Sequence, residues 1–385
     1  MNHDPSALSA ARWSISTVFL LNGAGIGLWA AHVPIVQARA GIDLATLSMV
    51  LLTIAAGALL AMPLMGGFTA RWGTRRMTLL AGFAFAALLA VLMGVSDPRL
   101  LFLAAFAFGV SNGALDVAMN ANASEVEAAR GIPTLSSIHG FYSLGGLIGA
   151  GLGGLLIGQG WGDGRGALAM AIVTAAVLAF AAPRVMAFAP TMDAGSHFQL
   201  PRGAALGLGL LALLCFAVEG ALVDWSALLM QERTGAAPAQ AALGFSAFSI
   251  AMAACRFAGD RMILRFGALR VMVLGGLAMF AGLATAVLST HFLLTAAGFA
   301  LIGIGAANVV PLLFGAASRI PGMSAGAGVA AVATLGYGGL LLAPPVLGYI
   351  ASHASIMVAL GLLSLSGLVI AMSARIIRVQ SAPTN

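Results

Sequence analysis

The sequence predicts an all-α membrane protein with twelve transmembrane helices in two six-helix pseudo-symmetric halves. Three observations lead there. Hydrophobic residues make up 61% of the 385 and charged residues 8%, with mean hydropathy +1.02; average soluble domains hold roughly 45–50% and about 25%. Apolar runs long enough to cross a bilayer recur between short breaks. At about 20 residues per span and roughly ten per loop, the length divides into around twelve or thirteen spans. Finally, the chain repeats itself. Arg71-Trp72-Gly73 returns as Arg265-Phe266-Gly267 and Gly109 as Gly303, both at an offset of 194; Gly145-Gly146-Leu147 returns as Gly338-Gly339-Leu340 at 193.

The spans follow in order. The first, 13–35, opens at Trp13 after a mostly polar start. It lacks the short apolar region and small-residue cleavage site of a signal peptide, so it is expected to be retained. Charged or turn-forming breaks then set off 44–67, 77–95, 99–122, 134–158 and 166–188. A polar stretch from Ala189 to Arg202 follows. The second set is 203–230, 239–258, 269–289, 292–317, 324–351 and 354–374. The predicted organisation is an N-terminal half over 1–188, a cytoplasmic linker over 189–202 and a C-terminal half over 203–385. Parallel six-helix repeats are a layout of alternating-access transporters, whose sites lie at midplane. No segment outside the membrane is long enough for a catalytic domain.

All eighteen basic residues are Arg. With the N-terminus inside, fourteen fall on the cytoplasmic side; Arg39, Arg99, Arg165 and Arg233 fall outside. The excess predicts that both termini are cytoplasmic in a multi-pass protein of the cell inner (plasma) membrane. Spread over many short loops, these charges form no basic face with interleaved aromatics, so nucleic acid is not an expected partner. Cys215 and Cys255 lie in apolar runs and read as packing residues. There is no phosphate-binding loop, no His and Cys at metal-ligand spacing and no nucleophile elbow, so neither enzyme chemistry nor a metal or cofactor is expected.

The loop Gly66-Gly67-Phe68-Thr69-Ala70-Arg71-Trp72-Gly73-Thr74-Arg75-Arg76 resembles the loop 2–3 motif of the major facilitator superfamily, G-x-x-x-D-R-x-G-R-R. With twelve spans in two halves, the resemblance covers essentially the whole chain. It implies that Arg71, Arg75 and Arg76 take part in an inner gate. The motif's acid is Ala70 here, so Glu125 and Glu127, placed after the fourth span, are the expected partners of those arginines. Leu115-Asp116-Val117-Ala118-Met119-Asn120 is similar to the acidic segment of the fucose–proton symporter branch, where a helix 4 carboxylate is linked to proton coupling; Asp116 is the matching position. Glu219 to Ser226 looks like a segment of bacterial relatives of that branch. Gly145-x-x-x-Gly149-Ala150-x-x-Gly153-Gly154 resembles the drug–proton antiporter motif, with Ala150 where the motif has Pro. Close helix packing through small residues accounts for this run as well.

A carboxylate at the bilayer centre costs about 2.5 kcal/mol or more and faces the bundle interior. Asn112, Asp116 and Asn120 recur every fourth residue and form one stripe. Asp116 is counted as eight residues before the inner end of its helix, ~12 Å, and His139 as five residues into the next, ~8 Å. That places them at similar depth, with Tyr142 one turn beyond His139. A carboxylate facing an imidazole and a phenol suits proton uptake and release. Glu219, near the middle of the seventh helix, is the second candidate carrier. The proton-coupling set is therefore Asp116, Glu219 and His139. The candidate solute contacts are Asn22, Asn112, Asn120, Tyr142, Asn308 and Trp225. Gly338 and Pro344 predict a bend in the eleventh helix that would serve a gate. Arg256 and Asp260, four apart, are expected to pair with each other.

Together these predict a secondary active transporter, working as a monomer in the bilayer, that carries a small solute with protons. Few of the polar residues are charged, which favours symport of a neutral, sugar-like solute. Proton-coupled efflux of drugs or metabolites is the alternative. A non-transporting sensor or scaffold is the second.

Overall fold

In the computed structural model the described residues are 5–42, 44–162, 164–188, 203–236 and 238–378. The predicted linker, 189–202, lies outside them. All regular structure among the described residues is helical. The first six α-helices are α1 (Pro5–Ala40), α2 (Leu44–Trp72), α3 (Thr74–Gly94), α4 (Pro98–Arg130), α5 (Leu135–Gly158) and α6 (Arg165–Ala181). The others are α7 (Ala204–Thr234), α8 (Pro238–Phe266), α9 (Ala268–Leu288), α10 (Phe292–Ala306), α11 (Val309–Ala317), α12 (Ala325–His353) and α13 (Ile356–Met372). Eight spans among the described residues are long and apolar enough to cross a membrane, the pair α10–α11 counting as one over Phe292–Ala317.

By packing, the chain forms two compact units. The first takes in α1 to α4, most of α5, α6 and the stretch Gly322–Ala330; the second takes in α7 to α11, the remainder of α12, α13 and the stretch Pro133–Ser137.

The repeat read from sequence is visible in the backbone. Helices α2 and α8 are both 29 residues long, α3 and α9 both 21. The turn between each pair is one glycine, Gly73 at φ 84° and ψ 147° and Gly267 at φ 80° and ψ 147°. Those dihedrals are open to Gly and strained for residues with a Cβ. Gly109 lies so close to α2 that a Cβ would strike the Ile54 carbonyl; Gly303 lies equally close to α8, against the Phe248 carbonyl. Gly145 meets Leu20 of α1 as Gly339 meets Leu213 of α7. The packing thus pairs Gly145 with Gly339 at the common offset of 194. The match of Gly145 with Gly338 at 193 is corrected by one residue.

Several boundaries differ from hydropathy. Helix α4 starts where Pro98 occupies the first turn and Asp97 accepts the N–H groups of Arg99 (2.8 Å) and Leu100 (3.0 Å), an N-cap that satisfies otherwise orphaned donors. It runs to Arg130, where Gly131 at φ 67° ends it in the left-handed conformation, not to 122. Glu125 and Glu127 therefore lie inside the helix and not in a loop after it. The polar residues that lower the hydropathy there still form a helix because part of this turn is packed: Asn122 is fully buried. The tenth predicted span is two helices. Pro311 has no N–H to return to the Ala307 carbonyl, and the helix is interrupted at Ala307 and Asn308.

Candidate functional site

In the first unit the stripe on α4 is interior. Asp116 is 8% exposed, and Asn120 is buried. The Asn120 amide donates to the Asp116 backbone carbonyl at 2.8 Å and to its Oδ1 at 3.3 Å. One turn up, Asn112 Oδ1 accepts from Asn22 Nδ2 of α1 at 3.0 Å. The predicted Asn22 and Asn112 are thus brought together, as are Asp116 and Asn120. His139 is buried, with its ring 5.0 Å from that of Phe19 on α1. Tyr142 presents its backbone carbonyl to Gly23 in a contact no side chain at 23 would allow. Counted along their own helices, Asp116 stands about fourteen residues before the end of α4, ~21 Å, and His139 about four residues past the start of α5, ~6 Å. The count from the end of α4 on which their similar depth was expected is corrected, because α4 continues past 122.

The loop 2–3 residues are placed differently from expectation. Glu125 Oε2 accepts the hydroxyl hydrogen of Thr74, the first residue of α3. Asn122 Nδ2 donates to that same hydroxyl oxygen at 2.9 Å and to the Met186 carbonyl at 2.9 Å. Arg75 donates to the Ala182 carbonyl at 3.1 Å, and Arg71 lies over the Trp72 ring at 5.9 Å. The expected pairing of Glu125 with Arg71, Arg75 or Arg76 is corrected: Thr74 stands beside the carboxylate, while Arg71 and Arg76 are exposed. Glu127, also on α4, is half-buried. Where the motif has its acid, Ala70 is buried. Beside it Thr69 and Gly66 of α2 pack on Gly326, Ala327 and Ala330.

In the second unit Glu219 and Arg256 face each other. Arg256 Nη2 is 3.8 Å from Glu219 Oε2, with side chains 8% and 18% exposed respectively. Cys215 Sγ donates to Glu219 Oε1 at 3.6 Å. Arg256 Nε donates to the Ala307 carbonyl at 3.3 Å, the carbonyl that Pro311 leaves without a helical donor. Asp260, the acid expected beside Arg256, accepts the Ser137 backbone N–H at 3.2 Å to each carboxylate oxygen, at the start of α5. Ser136 donates to the Arg256 backbone carbonyl at 3.0 Å and lies against Asn308 Oδ1. Asn308 Nδ2 reaches Cys255 Sγ at 3.6 Å. Trp225 has its indole nitrogen buried without a hydrogen-bond partner among the described residues. Gly338 is half-buried in α12 beside Leu213; the side chain of Pro344, in the same helix, lies outside the description. No group of His, Cys, Asp and Glu among the described residues could hold a metal ion.

A profile of the Major Facilitator Superfamily matches residues 14–228. The chain belongs to the major facilitator superfamily. It is 37% identical over 362 residues, 94% of each chain, to an uncharacterized MFS-type transporter of Yersinia pestis. It shares its fold with the fucose:proton symporter of E. coli, at TM-score 0.77 and 15% identity over 96% of this chain and 98% of that one. The human organic anion transporter MFSD10 gives TM-score 0.77 and 17% identity over 97% and 100%. The superfamily places the chain among integral multi-pass membrane transporters, not enzymes, with twelve transmembrane helices in two six-helix halves. The residue that sequence reasoning missed is Arg256 as a partner of Glu219. Pro311, inside a predicted span, was the available signal.

Proposed function

We propose that this superfamily member is a secondary active transporter that carries a small polar solute together with protons by alternating access. Asp116 carries this reading. It is a carboxylate buried in the interior of a membrane span, held by an amide one turn away and continued by the Asn22–Asn112 pair. A charge there is retained for use, because an apolar residue would cost less. Glu219 and His139 are its helpers, and the amides of Asn22, Asn112, Asn120 and Asn308, with Tyr142 and Trp225, are the solute contacts. The Arg distribution supports an inner-membrane protein with both termini cytoplasmic, working as a monomer. Packing supports symport over efflux: Gly145 and Gly149 are needed where α5 touches the Leu20 and Ala24 carbonyls of α1, so the antiporter-like run is explained by contact.

The test is solute-driven proton movement. Full-length protein in proteoliposomes with an external pH dye is challenged with a panel of sugars, sugar acids and amphiphilic drugs. Symport predicts external alkalinisation with at least one solute, lost in Asp116→Asn. A signal unchanged in Asp116→Asn removes Asp116 from the pathway. Acidification in place of alkalinisation establishes exchange.

A further inference from the structure

We infer that each half of the chain carries a docking site for the headgroup of an anionic phospholipid, built from three arginines that recur in both halves. The sites are Arg71, Arg76 and Arg184 in the first unit and Arg265, Arg270 and Arg378 in the second. Each residue of the second set follows its counterpart by 194 positions, the offset that relates Gly73 to Gly267. The inference goes beyond the transport reading: it needs only that the chain sits in a bilayer, whatever solute it carries.

Packing gathers each set at one end of its unit. In the first, Arg71 lies in the last turn of α2 and Arg76 in the first turn of α3, on either side of Gly73. Arg75 donates to the Ala182 carbonyl at 3.1 Å, which seats the short 3₁₀ turn Ala182–Arg184 beside the start of α3. In the second, Arg265 and Arg270 flank Gly267 in the same way. Gly276 of α9 packs on Ala371 of α13, and Gly367 of α13 on Phe280 of α9. The two helices therefore run antiparallel, and the end of α13 lies beside the start of α9. The 3₁₀ turn Ala374–Ile377, which leads into Arg378, packs on α9.

All six arginines are exposed, and none pairs with a carboxylate among the described residues. Of the acids on the helices beside them, Glu125 takes the Thr74 hydroxyl hydrogen and Asp260 the Ser137 N–H; Glu127 is half-buried and pairs with none of the six. Three of the arginines lie over aromatic rings: Arg71 over Trp72 at 5.9 Å, Arg184 over Phe180 at 4.9 Å and Arg265 over Phe266 at 5.4 Å. Arg184 also donates to the Phe180 carbonyl at 3.2 Å. A ring attracts a guanidinium through its charge and leaves most of its five N–H donors unused. Those donors suit a phosphate, which Arg grips with two parallel hydrogen bonds. Like charges gathered without an acid repel one another, and a bound phosphate relieves that repulsion.

The apolar surface decides which phosphate. Phe180, one turn before Arg184, is 74% exposed on α6, and Val173 continues the same face. Met372, six residues before Arg378, is 84% exposed on α13, and Val369 and Leu365 continue its face. A free phosphate has no use for such rows. The acyl chains of a lipid lie along them while the headgroup meets the arginines. The arginine distribution assigns this end of each unit to the cytoplasm, where anionic headgroups draw basic residues.

The experiment is native mass spectrometry of purified, delipidated full-length protein, titrated with phosphatidylglycerol and, as the neutral counterpart, phosphatidylcholine. Wild type is expected to retain two phosphatidylglycerol molecules under conditions that strip phosphatidylcholine. Arg265→Gln/Arg270→Gln/Arg378→Gln should retain one, as should Arg71→Gln/Arg76→Gln/Arg184→Gln. Arg270→Gln alone should weaken its site about fivefold. Arg265→Lys/Arg270→Lys/Arg378→Lys keeps the charge, and with it the orientation in the membrane, but loses the guanidinium fork. It should weaken that site about threefold or more, which separates loss of docking from loss of folding. Equal retention of phosphatidylcholine, no lipid held by wild type, or two lipids still held by both triple Gln variants overturns the inference. So does a triple Lys variant that binds as wild type does, because charge alone would then account for the arginines. Displacement of the lipid by excess glycerol phosphate overturns it as well, in favour of a site for soluble phosphates. None of these outcomes touches proton movement in the proteoliposome panel, so the transport reading stands or falls separately.

Discussion

Thr74 and Glu125, fifty-one positions apart, are joined by a hydrogen bond from the threonine hydroxyl to the glutamate carboxylate. The same hydroxyl accepts from Asn122, so one oxygen ties the start of α3 to the C-terminal part of α4. Replacing Thr74 with Val keeps the shape and removes both bonds. Stability should fall by about 1–3 kcal/mol, since a half-buried carboxylate and a buried amide each lose a partner. Thr74→Ser should restore most of it. Thermal unfolding in detergent reads both.

The repeated close approaches predict matched sensitivities. Gly109→Ala would drive a methyl group into the Ile54 carbonyl, and Gly303→Ala one into Phe248. Each should lower the melting temperature, at a cost of about 1–3 kcal/mol for overpacking. Gly151→Ala, where nothing lies within 4 Å, should leave it unchanged or slightly raised. Three melting curves compare them.

The Asn22–Asn112 bond can be isolated by a double-mutant cycle. Asn22→Ala strands the Asn112 carbonyl oxygen and should cost about 1–3 kcal/mol. Adding Asn112→Ala should cost less than the second single change alone, with a coupling of about 0.5–3 kcal/mol. Strict additivity in the unfolding data would mean the two amides do not depend on each other.

Trp225→Phe removes an indole N–H that is buried without a partner among the described residues. Taking away an unsatisfied donor is neutral or stabilising. The variant should therefore melt within about 1 kcal/mol of wild type and bind solute less tightly if that N–H serves the solute. Loss of stability in Trp225→Phe would show that ring volume, not the polar atom, is what the site uses.

Pro311→Ala returns an N–H to the Ala307 carbonyl and takes that oxygen from Arg256. Helix stability should hold or improve by about 0.5–1.5 kcal/mol, the worth of one hydrogen bond. Thermal unfolding in detergent reads the change.

What the sequence disclosed follows from what is local or periodic. Gly73 and Gly267 advertise themselves because the turn they make excludes side chains. The stripe of Asn112, Asp116 and Asn120 follows from helical spacing alone. The ends of helices were less legible, because hydropathy marks where lipid stops and not where hydrogen bonding stops; α4 therefore continues eight residues past its apolar run, to Arg130. Partners on other helices were not legible. Glu125 was assigned to arginines by charge, and the structure gives it a hydroxyl. Glu219, which Arg256 faces across 3.8 Å, sits on another helix, where spacing along the chain gives no sign of it.

Helix α4 is unbroken for 33 residues, whereas its counterpart is cut at Ala307 and Asn308 into α10 and α11. Val117, at the position matching Pro311, still has the amide hydrogen that Pro311 lacks. Two copies of one design have thus become mechanically unequal, one a continuous strut and the other a jointed one. Deuterium should enter the backbone around Asn308 sooner than around Ala114, and any bending of the bundle under load would concentrate at the joint where Arg256 is moored.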